Sequence, residues 1–280
     1  MKVGAVVRTM GAQSTRELVT DCARAAEDAG LDEIWVVDHI AIPPDDAAGS
    51  DGRYLDPLAT LAFLAGATSR IGLGTAVLIL PYRPALPTAK WIATIQELSG
   101  ERLRLGVGVG WMPAEFRAVG VDRARRGAIA DETLAFLHEC FASGDDDVVV
   151  ANGQQFLFRP KPPRPPIFVG GTPPHAIARA VRFGDGWMPM GMDPEKLREP
   201  VEELRRRARE AGKPAPEVVA MGRLAIEDAA RAAEQVAALA AVGVTRFVHA
   251  AQYADRDAFA EIAVRLARCR GDGNELPARG

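Results

Sequence analysis

Short apolar runs rich in valine and isoleucine alternate along this chain with longer segments in which apolar residues recur every three or four positions. The short runs are typical of strands buried on both faces, and the longer segments are typical of helices with one apolar face. The predicted strands cover residues 2–7, 33–38, 71–77, 103–109, 166–169, 186–188, 218–224 and 245–250.

The helical segments are bounded by residues that commonly begin and end helices. Ser14 is a candidate N-cap, prolines occupy first turns, and glycines such as Gly30 and Gly100 follow the helix ends. The predicted helices cover residues 14–29, 57–68, 87–98, 123–141, 174–183, 194–211, 228–241 and 255–267. Regular alternation of strand and helix predicts a parallel sheet covered by helices, and eight such units close naturally into a (β/α)8 TIM barrel of the α/β class.

One segment breaks this alternation. Residues 143–166 contain an acidic run, a possible hairpin around 151–153 and a proline-rich stretch at 159–166 that cannot be helical. We interpret it as an insertion before the fifth strand, and residues 270–280 as a loose tail. The whole chain, residues 1–280, is predicted to be a single barrel domain, because its 280 residues are close to the roughly 250 that are typical of this fold.

Composition narrows the range of partners. The formal net charge of −3 leaves no basic surface for nucleic acid, and no apolar run approaches the roughly 20 residues that span a membrane. The chain enters its first strand directly after Met1 and Lys2 without a signal peptide, which predicts cytoplasmic localisation. Cys22, Cys140 and Cys269 fit neither a disulfide framework nor a metal-ligand spacing, so we expect reduced structural thiols and no metal site.

Glycines punctuate the third and fourth predicted strands, at Gly72, Gly74, Gly106, Gly108 and Gly110. A glycine in a strand interior marks a bulge or a site where a ligand approaches the backbone closely. Tight packing inside the barrel would demand the same residues. The pattern favours neither interpretation over the other.

Active sites of TIM barrels lie at the carboxyl ends of the strands. Asp38 and His39 end the second strand, and an imidazole there can exchange a proton near neutral pH. Trp111 ends the fourth strand, with Glu115 following it. The fifth strand is followed by residues 170–174, Gly-Gly-Thr-Pro-Pro, whose free backbone N–H groups suit a phosphate, although a tight turn would also use two glycines.

Taken in order, these motifs resemble the luciferase-like monooxygenase superfamily, and within it the oxidoreductases that use flavin or the deazaflavin coenzyme F420. The resemblance spans nearly the whole barrel. It is carried by WVVDHI at 35–40, LGTAVL at 73–78, KWIATIQELSG at 90–100 with Arg102, LGVGVGW at 105–111 with Glu115 and Phe116, FVGG at 168–171 and GDGW at 184–187.

The resemblance implies a set of cofactor contacts. Asp38 and His39 match the pair that meets the ring system in F420-dependent members, in which the histidine donates a proton. Ala76 and Val77 match a bulge that commonly contains a non-proline cis peptide supporting the ring. The further contacts that it implies are Ile79, which flanks the ring, Val109, Gly110 and Trp111 after the fourth strand, and Gly170, Gly171 and Thr172 near the phosphate-bearing tail.

Trp111 is also a departure from part of the family. The sugar-phosphate dehydrogenase members carry a catalytic glutamate at this position, so that chemistry is not carried over. Glu115 lies nearby, but its place on the helix side predicts a structural or solvent-facing role at least as much as a catalytic one. Trp111, Tyr82, Trp187 and the methionines at 188, 190 and 192 suggest an apolar wall for the substrate.

The function implied by the resemblance is hydride transfer between F420 and a small organic substrate, with His39 as the catalytic residue. An FMN-dependent luciferase-like monooxygenase that uses molecular oxygen is the first alternative. A flavin-binding protein without catalysis is an alternative of another class, and a phosphosugar isomerase or aldolase on the same fold is a weaker one. The resemblance further implies a homodimer.

Overall fold

The strands follow one another around a closed barrel in the way that the alternating pattern predicts. The computed structural model describes residues 1–142 and 147–269. Within them, eight parallel strands close the barrel in the order β1-β10-β9-β8-β7-β4-β3-β2. These strands are β1 (Lys2–Val6), β2 (Glu33–Val36), β3 (Gly72–Ile79), β4 (Leu103–Gly108), β7 (Ile167–Gly170), β8 (Gly186–Met188), β9 (Glu217–Gly222) and β10 (Arg246–His249).

Helices cover the outside of the barrel. They are α1 (Arg16–Asp28), α2 (Pro57–Ala67), α3 (Ala85–Leu98), α4 (Pro113–Ala118), α5 (Arg126–Cys140), α6 (His175–Phe183), α7 (Pro194–Glu210), α8 (Ala229–Ala241) and α9 (Arg256–Arg268). The sequence pattern did not predict the short helix α4. The helix predicted from residue 123 begins at Arg126, because a 3-10 turn capped by the Asp122 carboxylate precedes it.

The predicted insertion contains a two-stranded hairpin, β5 (Val148–Ala151) and β6 (Gln154–Leu157), which lies before the fifth barrel strand, β7. Its turn places Asn152 at φ 51° and Gly153 at φ 77°, the left-handed conformations that an Asn-Gly hairpin turn requires. The Lys90 ammonium of α3 donates a hydrogen bond to the Arg159 carbonyl and so ties the segment that follows the hairpin to the barrel. Residues 143–146 of the insertion and the predicted tail at 270–280 lie outside the described residues.

The amino ends of the strands are closed by buried charges. Arg246 on β10 pairs with Glu33 on β2 and, over 2.5 Å, with Glu217 on β9. Burial raises the pKa of Glu33, and the attraction of Arg246 and Arg104 opposes that rise. Because this end is filled by ion pairs and apolar side chains, the open end for a ligand is the opposite one, where the strands finish.

The cysteines are free thiols, as expected for structural residues. Cys22 and Cys140 are buried, and burial raises the pKa of each thiol to about 12. Among the described helices, none combines the length and the apolar character that a membrane span requires.

Candidate functional site

The residues selected from the sequence meet at the carboxyl ends of four neighbouring strands. Asp38 and His39 follow β2, Ala76, Val77 and Ile79 lie in β3, Val109, Gly110 and Trp111 follow β4, and Gly170, Gly171 and Thr172 end or follow β7. Since these strands are consecutive in the order β7-β4-β3-β2, the candidate residues form one continuous arc of the barrel mouth.

His39 is held by a buried carboxylate. Its Nδ1 atom lies 3.0 Å from Oε2 of Glu115, whose side chain is 0% exposed, whereas the His39 side chain keeps 20% of its surface exposed. The same Oε2 accepts a 2.9 Å hydrogen bond from the Tyr82 hydroxyl. The other oxygen accepts the backbone N–H groups of Ile40 at 2.6 Å and Ala41 at 3.1 Å.

These donors keep Glu115 ionised. Burial by itself would raise the pKa of the Glu115 carboxyl, but the hydrogen bonds from the Ile40 and Ala41 N–H groups and from Tyr82 outweigh it, and the pKa is lowered. An ionised carboxylate only accepts hydrogen bonds, so Nδ1 of His39 must carry a proton. Nε2 makes no hydrogen bond with the described residues, and it is the nitrogen left to exchange a proton with a bound molecule.

Of the two non-catalytic roles expected for Glu115, the solvent-facing one is wrong, because this side chain is completely buried, and the structural one agrees with its contacts. The missed sequence signal is local: a glutamate three residues into a short helix, directly followed by Phe116, which is also buried. Because Glu115 is completely buried, it would reach a bound molecule only through His39, whose ring it orients.

The Asp38 carboxylate is occupied by hydrogen bonds and an ion pair within the protein. Its side chain is 0% exposed and forms two hydrogen bonds with the guanidinium of Arg83, at 2.7 and 2.9 Å. The Ile79 N–H donates to the same carboxylate at 2.8 Å, and Arg83 also bonds Asp56 at 2.7 Å. These contacts link the ends of β2, β3 and α2. No feature of the local sequence marked Arg83, whose partner lies 45 residues away.

The bulge expected in β3 is present. The register between β3 and β4 shifts between Thr75 and Leu78, and the Ala76–Val77 peptide is cis. The side chain of Ile79 is 5% exposed and packs with Tyr82 and Phe116.

Several strand glycines make room for the protein's own side chains. A Cβ added at Gly74 would come within 2.3 Å of the Trp35 ring, and one at Gly108 within 2.5 Å of Val77. At Gly170 it would come within 2.9 Å of Val77 as well. At these positions the packing interpretation holds. Gly110 differs, because its φ of +75° also requires a residue without a side chain.

The turn after β7 is fixed by a tryptophan. The Trp187 indole N–H donates a 2.9 Å hydrogen bond to the Gly171 carbonyl, and Gly171 has a φ of +122°. Thr172 is exposed before the start of α6. Arg179 of α6 lies near Gly170 beside this turn, and its guanidinium is ion-paired with Asp131 at 2.5 Å.

The predicted apolar wall is only partly exposed. Trp111 is 63% exposed and meets the His39 ring edge-on at 6.3 Å between centroids, and Met190 is 74% exposed. Met188 is buried inside the barrel, and Trp187 and Tyr82 are buried by the contacts described above. The free apolar surface near the mouth therefore includes Trp111, Met190 and Ile40, which is 46% exposed.

Known proteins resemble this chain over nearly its whole length. An uncharacterised protein of Mycobacterium tuberculosis is 31% identical over 275 residues, which cover 88% of this chain and 93% of the relative. An F420-dependent secondary alcohol dehydrogenase, solved with an F420-acetone adduct, superposes with a TM-score of 0.76 at 18% identity, covering 94% of this chain and 98% of the other.

A second solved structure of the same fold binds a different cofactor. The oxygenating constituent of 3,6-diketocamphane monooxygenase from Pseudomonas putida, in complex with FMN, has a TM-score of 0.77 at 15% identity and 97% coverage of both chains. Residues 2–275 of this chain match the luciferase-like monooxygenase family profile. The barrel, the bulge in its third strand and the match over these residues together identify the chain as a member of the luciferase-like monooxygenase family.

Proposed function

We propose that this chain is an F420-dependent oxidoreductase that transfers a hydride between coenzyme F420 and a small organic substrate at the barrel mouth. The observation that carries the proposal is the His39–Glu115 pair, in which Nδ1 is tied to a buried carboxylate and Nε2 is left to exchange a proton. Hydride transfer to a carbonyl carbon, or from an alcohol, needs a matching proton at the oxygen, and a positioned imidazole supplies it.

The residues at the mouth fit a flat ring with an anionic tail. The β3 bulge, Val109, Gly110 and the exposed face of Trp111 would hold the ring, and Gly170–Thr172 would hold the phosphate beside the amino end of α6. When bound, F420 supplies a ring carbon that gives or accepts a hydride and reacts poorly with oxygen. The protein contributes the orientation of His39 and a partly apolar surface that excludes water.

An FMN-dependent monooxygenase is the second candidate, because an FMN-bound monooxygenase shares the fold over nearly the full length. Neither the His39–Glu115 pair nor the β3 bulge distinguishes the two chemistries, since both cofactors carry a flat ring that would lie at the same bulge. The motif resemblance to F420-dependent members is the reason for placing F420 first.

Titration of the purified protein with F420, and separately with FMN, tests the proposal through the fluorescence of the cofactor. We expect a micromolar or tighter Kd for F420 and much weaker binding of FMN. Preference for FMN would move the function to oxygen-dependent chemistry, and binding of neither cofactor would refute both candidates.

Catalysis is tested with the His39→Gln variant, which keeps a polar side chain of similar length. We expect F420 binding to persist while hydride transfer with a panel of alcohols and carbonyl compounds falls by about 10²- to 10⁴-fold, the usual contribution of general acid-base catalysis. Tight F420 binding without turnover in the wild type would favour the non-catalytic flavin-binding alternative. The homodimer implied by the resemblance is tested by sedimentation, and the cytoplasmic location by cell fractionation.

A further inference from the structure

Arg8 is a partly exposed residue at the barrel mouth, and its backbone N–H donates a hydrogen bond to the Tyr253 hydroxyl. It follows β1 by two residues, and alternation along the strand places its side chain on the same face as Val6, which belongs to the cluster inside the barrel. The Nε atom of Arg8 is buried and finds no hydrogen-bond partner. Within residues 1–142 and 147–269, no carboxylate forms an ion pair with its guanidinium.

Several buried arginines of the described chain have carboxylate partners, and Arg104, whose Nε atom is also buried without a hydrogen bond, lies 3.6 Å from Glu33. Arg83, at 13% side-chain exposure, binds Asp38 and Asp56, and Arg246, at 6%, binds Glu33 and Glu217. Arg179, at 13%, binds Asp131. A buried donor without a partner costs free energy, so its presence calls for an explanation such as a ligand that supplies the missing acceptor.

The acids near the mouth do not neutralise Arg8. The Asp38 carboxylate is taken up by Arg83 and the Ile79 N–H, and the Glu115 carboxylate by His39, Tyr82 and two backbone N–H groups. A second cation, Arg223 after β9, lies close enough to His249 to contribute to lowering its pKa, although burial is the larger cause. This side of the mouth therefore carries two arginines, Arg8 and the exposed Arg223, that form no ion pair with the described residues.

The strand order separates this side of the mouth from the cofactor residues. The candidate cofactor contacts lie on the arc β7-β4-β3-β2, whereas β1, β10 and β9 form the arc that continues from β2. His39, at the end of β2, is next to β1 and so stands between the two arcs. A molecule at the mouth that receives a proton from His39 would therefore have the end of β1, and Arg8 after it, on the side away from the cofactor arc.

We propose that Arg8 recognises a carboxylate of the substrate, so that the enzyme acts on a small organic anion with an apolar body. This inference rests on the function proposed above and names the substrate class for the same site. The planar guanidinium matches a carboxylate with two parallel hydrogen bonds. The exposed Trp111 and Met190 offer apolar surface to the rest of the molecule.

Calorimetry with simple probes tests the proposal. Butyrate, hexanoate and benzoate are each compared with the corresponding neutral amide, on the wild type saturated with whichever cofactor binds and also without added cofactor. We expect each carboxylate to bind more tightly than its amide, and Arg8→Met to weaken carboxylate binding by about 10- to 100-fold while leaving the amides unchanged. Arg8→Lys should lie between the two, because it keeps the charge but loses the planar fork.

Arg231→Met is the matched control, since it removes the same charge from an exposed position on α8. It should leave all affinities unchanged. A shift of the Arg8 Nε resonance in the wild type on addition of benzoate gives the same answer by NMR, should Arg8→Met fail to fold.

Three results would overturn the proposal. The first is that the wild type binds the carboxylates no more tightly than the corresponding amides. The second is that the wild type and Arg8→Met bind the carboxylates with equal affinity. An Arg8→Met variant that loses F420 or FMN affinity but keeps carboxylate affinity would assign Arg8 to the cofactor instead. Because calorimetry reads the probes without any cofactor, failure of the cofactor titration and failure of carboxylate recognition are separate results.

Discussion

Replacing Glu115 by glutamine should reverse the tautomer of His39. Glu115 accepts the Ile40 and Ala41 N–H groups at one oxygen, and the His39 Nδ1–H and Tyr82 hydroxyl at the other. Backbone N–H groups cannot turn, so the amide oxygen must stay on their side and the NH₂ group must face His39. Nδ1 then has to accept a hydrogen bond, and the proton moves to Nε2. The Tyr82 hydroxyl can rotate to accept as well.

The magnitude follows from the kind of bond that is lost. Hydrogen bonds to a charged group contribute about 1.5–3 kcal/mol, and neutral ones about 0.5–1.5 kcal/mol. We therefore expect Glu115→Gln to lower the free energy of unfolding by about 1–2 kcal/mol, with the fold retained. The effect on proton exchange should be far larger, because the corresponding acid-to-amide change in the serine protease triad produces the wrong tautomer and lowers kcat by about 10⁴-fold.

Nitrogen-15 NMR of the imidazole rings reads the tautomer directly and needs no cofactor. The chain has 4 histidines, so the His39→Gln variant assigns the signal of His39. We expect a protonated Nδ1 in the wild type and a bare Nδ1 in Glu115→Gln, measured at the same pH. Glu132→Gln is the control, since this carboxylate is 65% exposed and pairs on the surface with Arg125. A His39 spectrum that is the same in the wild type and in Glu115→Gln would refute the reasoning.

Three further predictions concern the surroundings of the site. Arg83→Met leaves the buried Asp38 carboxylate without its cation, so urea unfolding should show a loss of about 3–5 kcal/mol. His249 accepts the Leu224 N–H through Nδ1, and burial, with a smaller contribution from a nearby arginine, lowers its pKa from 6.5 to about 4. The folded state favours the neutral form of His249. The free energy of unfolding should therefore be highest above pH 6.5 and should fall by about 3 kcal/mol as the pH drops towards 4. His249→Asn, which keeps a hydrogen-bond acceptor, should remove this pH dependence in urea unfolding. Trp111→Ala should change the free energy of unfolding by less than about 0.5 kcal/mol, because the ring is exposed, but should weaken F420 binding about two- to tenfold in the fluorescence titration.

Each of these predictions has a control and an outcome that contradicts it. Adding Asp38→Asn to Arg83→Met should recover most of the lost stability, and no recovery would show that the arginine acts through packing alone. For His249→Asn, a wild-type pH slope that survives in the variant would assign the slope to another group. For Trp111→Ala, unchanged F420 affinity would remove this residue from the cofactor site.

The alternation of apolar runs and amphipathic segments was enough to predict the barrel, because helical and strand periods are local properties of a sequence. The Asn-Gly pair at 152–153 was likewise enough to predict the hairpin, since it supplies both left-handed positions of the turn. The position of His39 at the barrel mouth followed from the same reasoning, because a residue at the carboxyl end of a barrel strand lies at the face where the active sites of this fold are found.

The partners of those residues could not be predicted in this way. Glu115 lies 76 residues from His39, and Arg83 lies 45 residues from Asp38. Their pairing depends on which loops cover the mouth and how deeply each side chain is buried. The strand glycines show the same limit, because only packing reveals that Val77 occupies the space at Gly108 and Gly170.

The sequence by itself thus determined the eight barrel strands, the long helices, the closed parallel barrel and the family to which its motifs point, since these depend on periodicity and on short motifs. The tertiary structure alone decided the contacts of the site: an ionised Glu115 fixing His39, an Asp38 ion-paired with Arg83, and an Arg8 whose Nε atom has no acceptor among the described residues. The physical reason is that hydrogen bonding and desolvation depend on distances of a few ångströms between residues far apart in the chain, and sequence spacing carries no record of those distances.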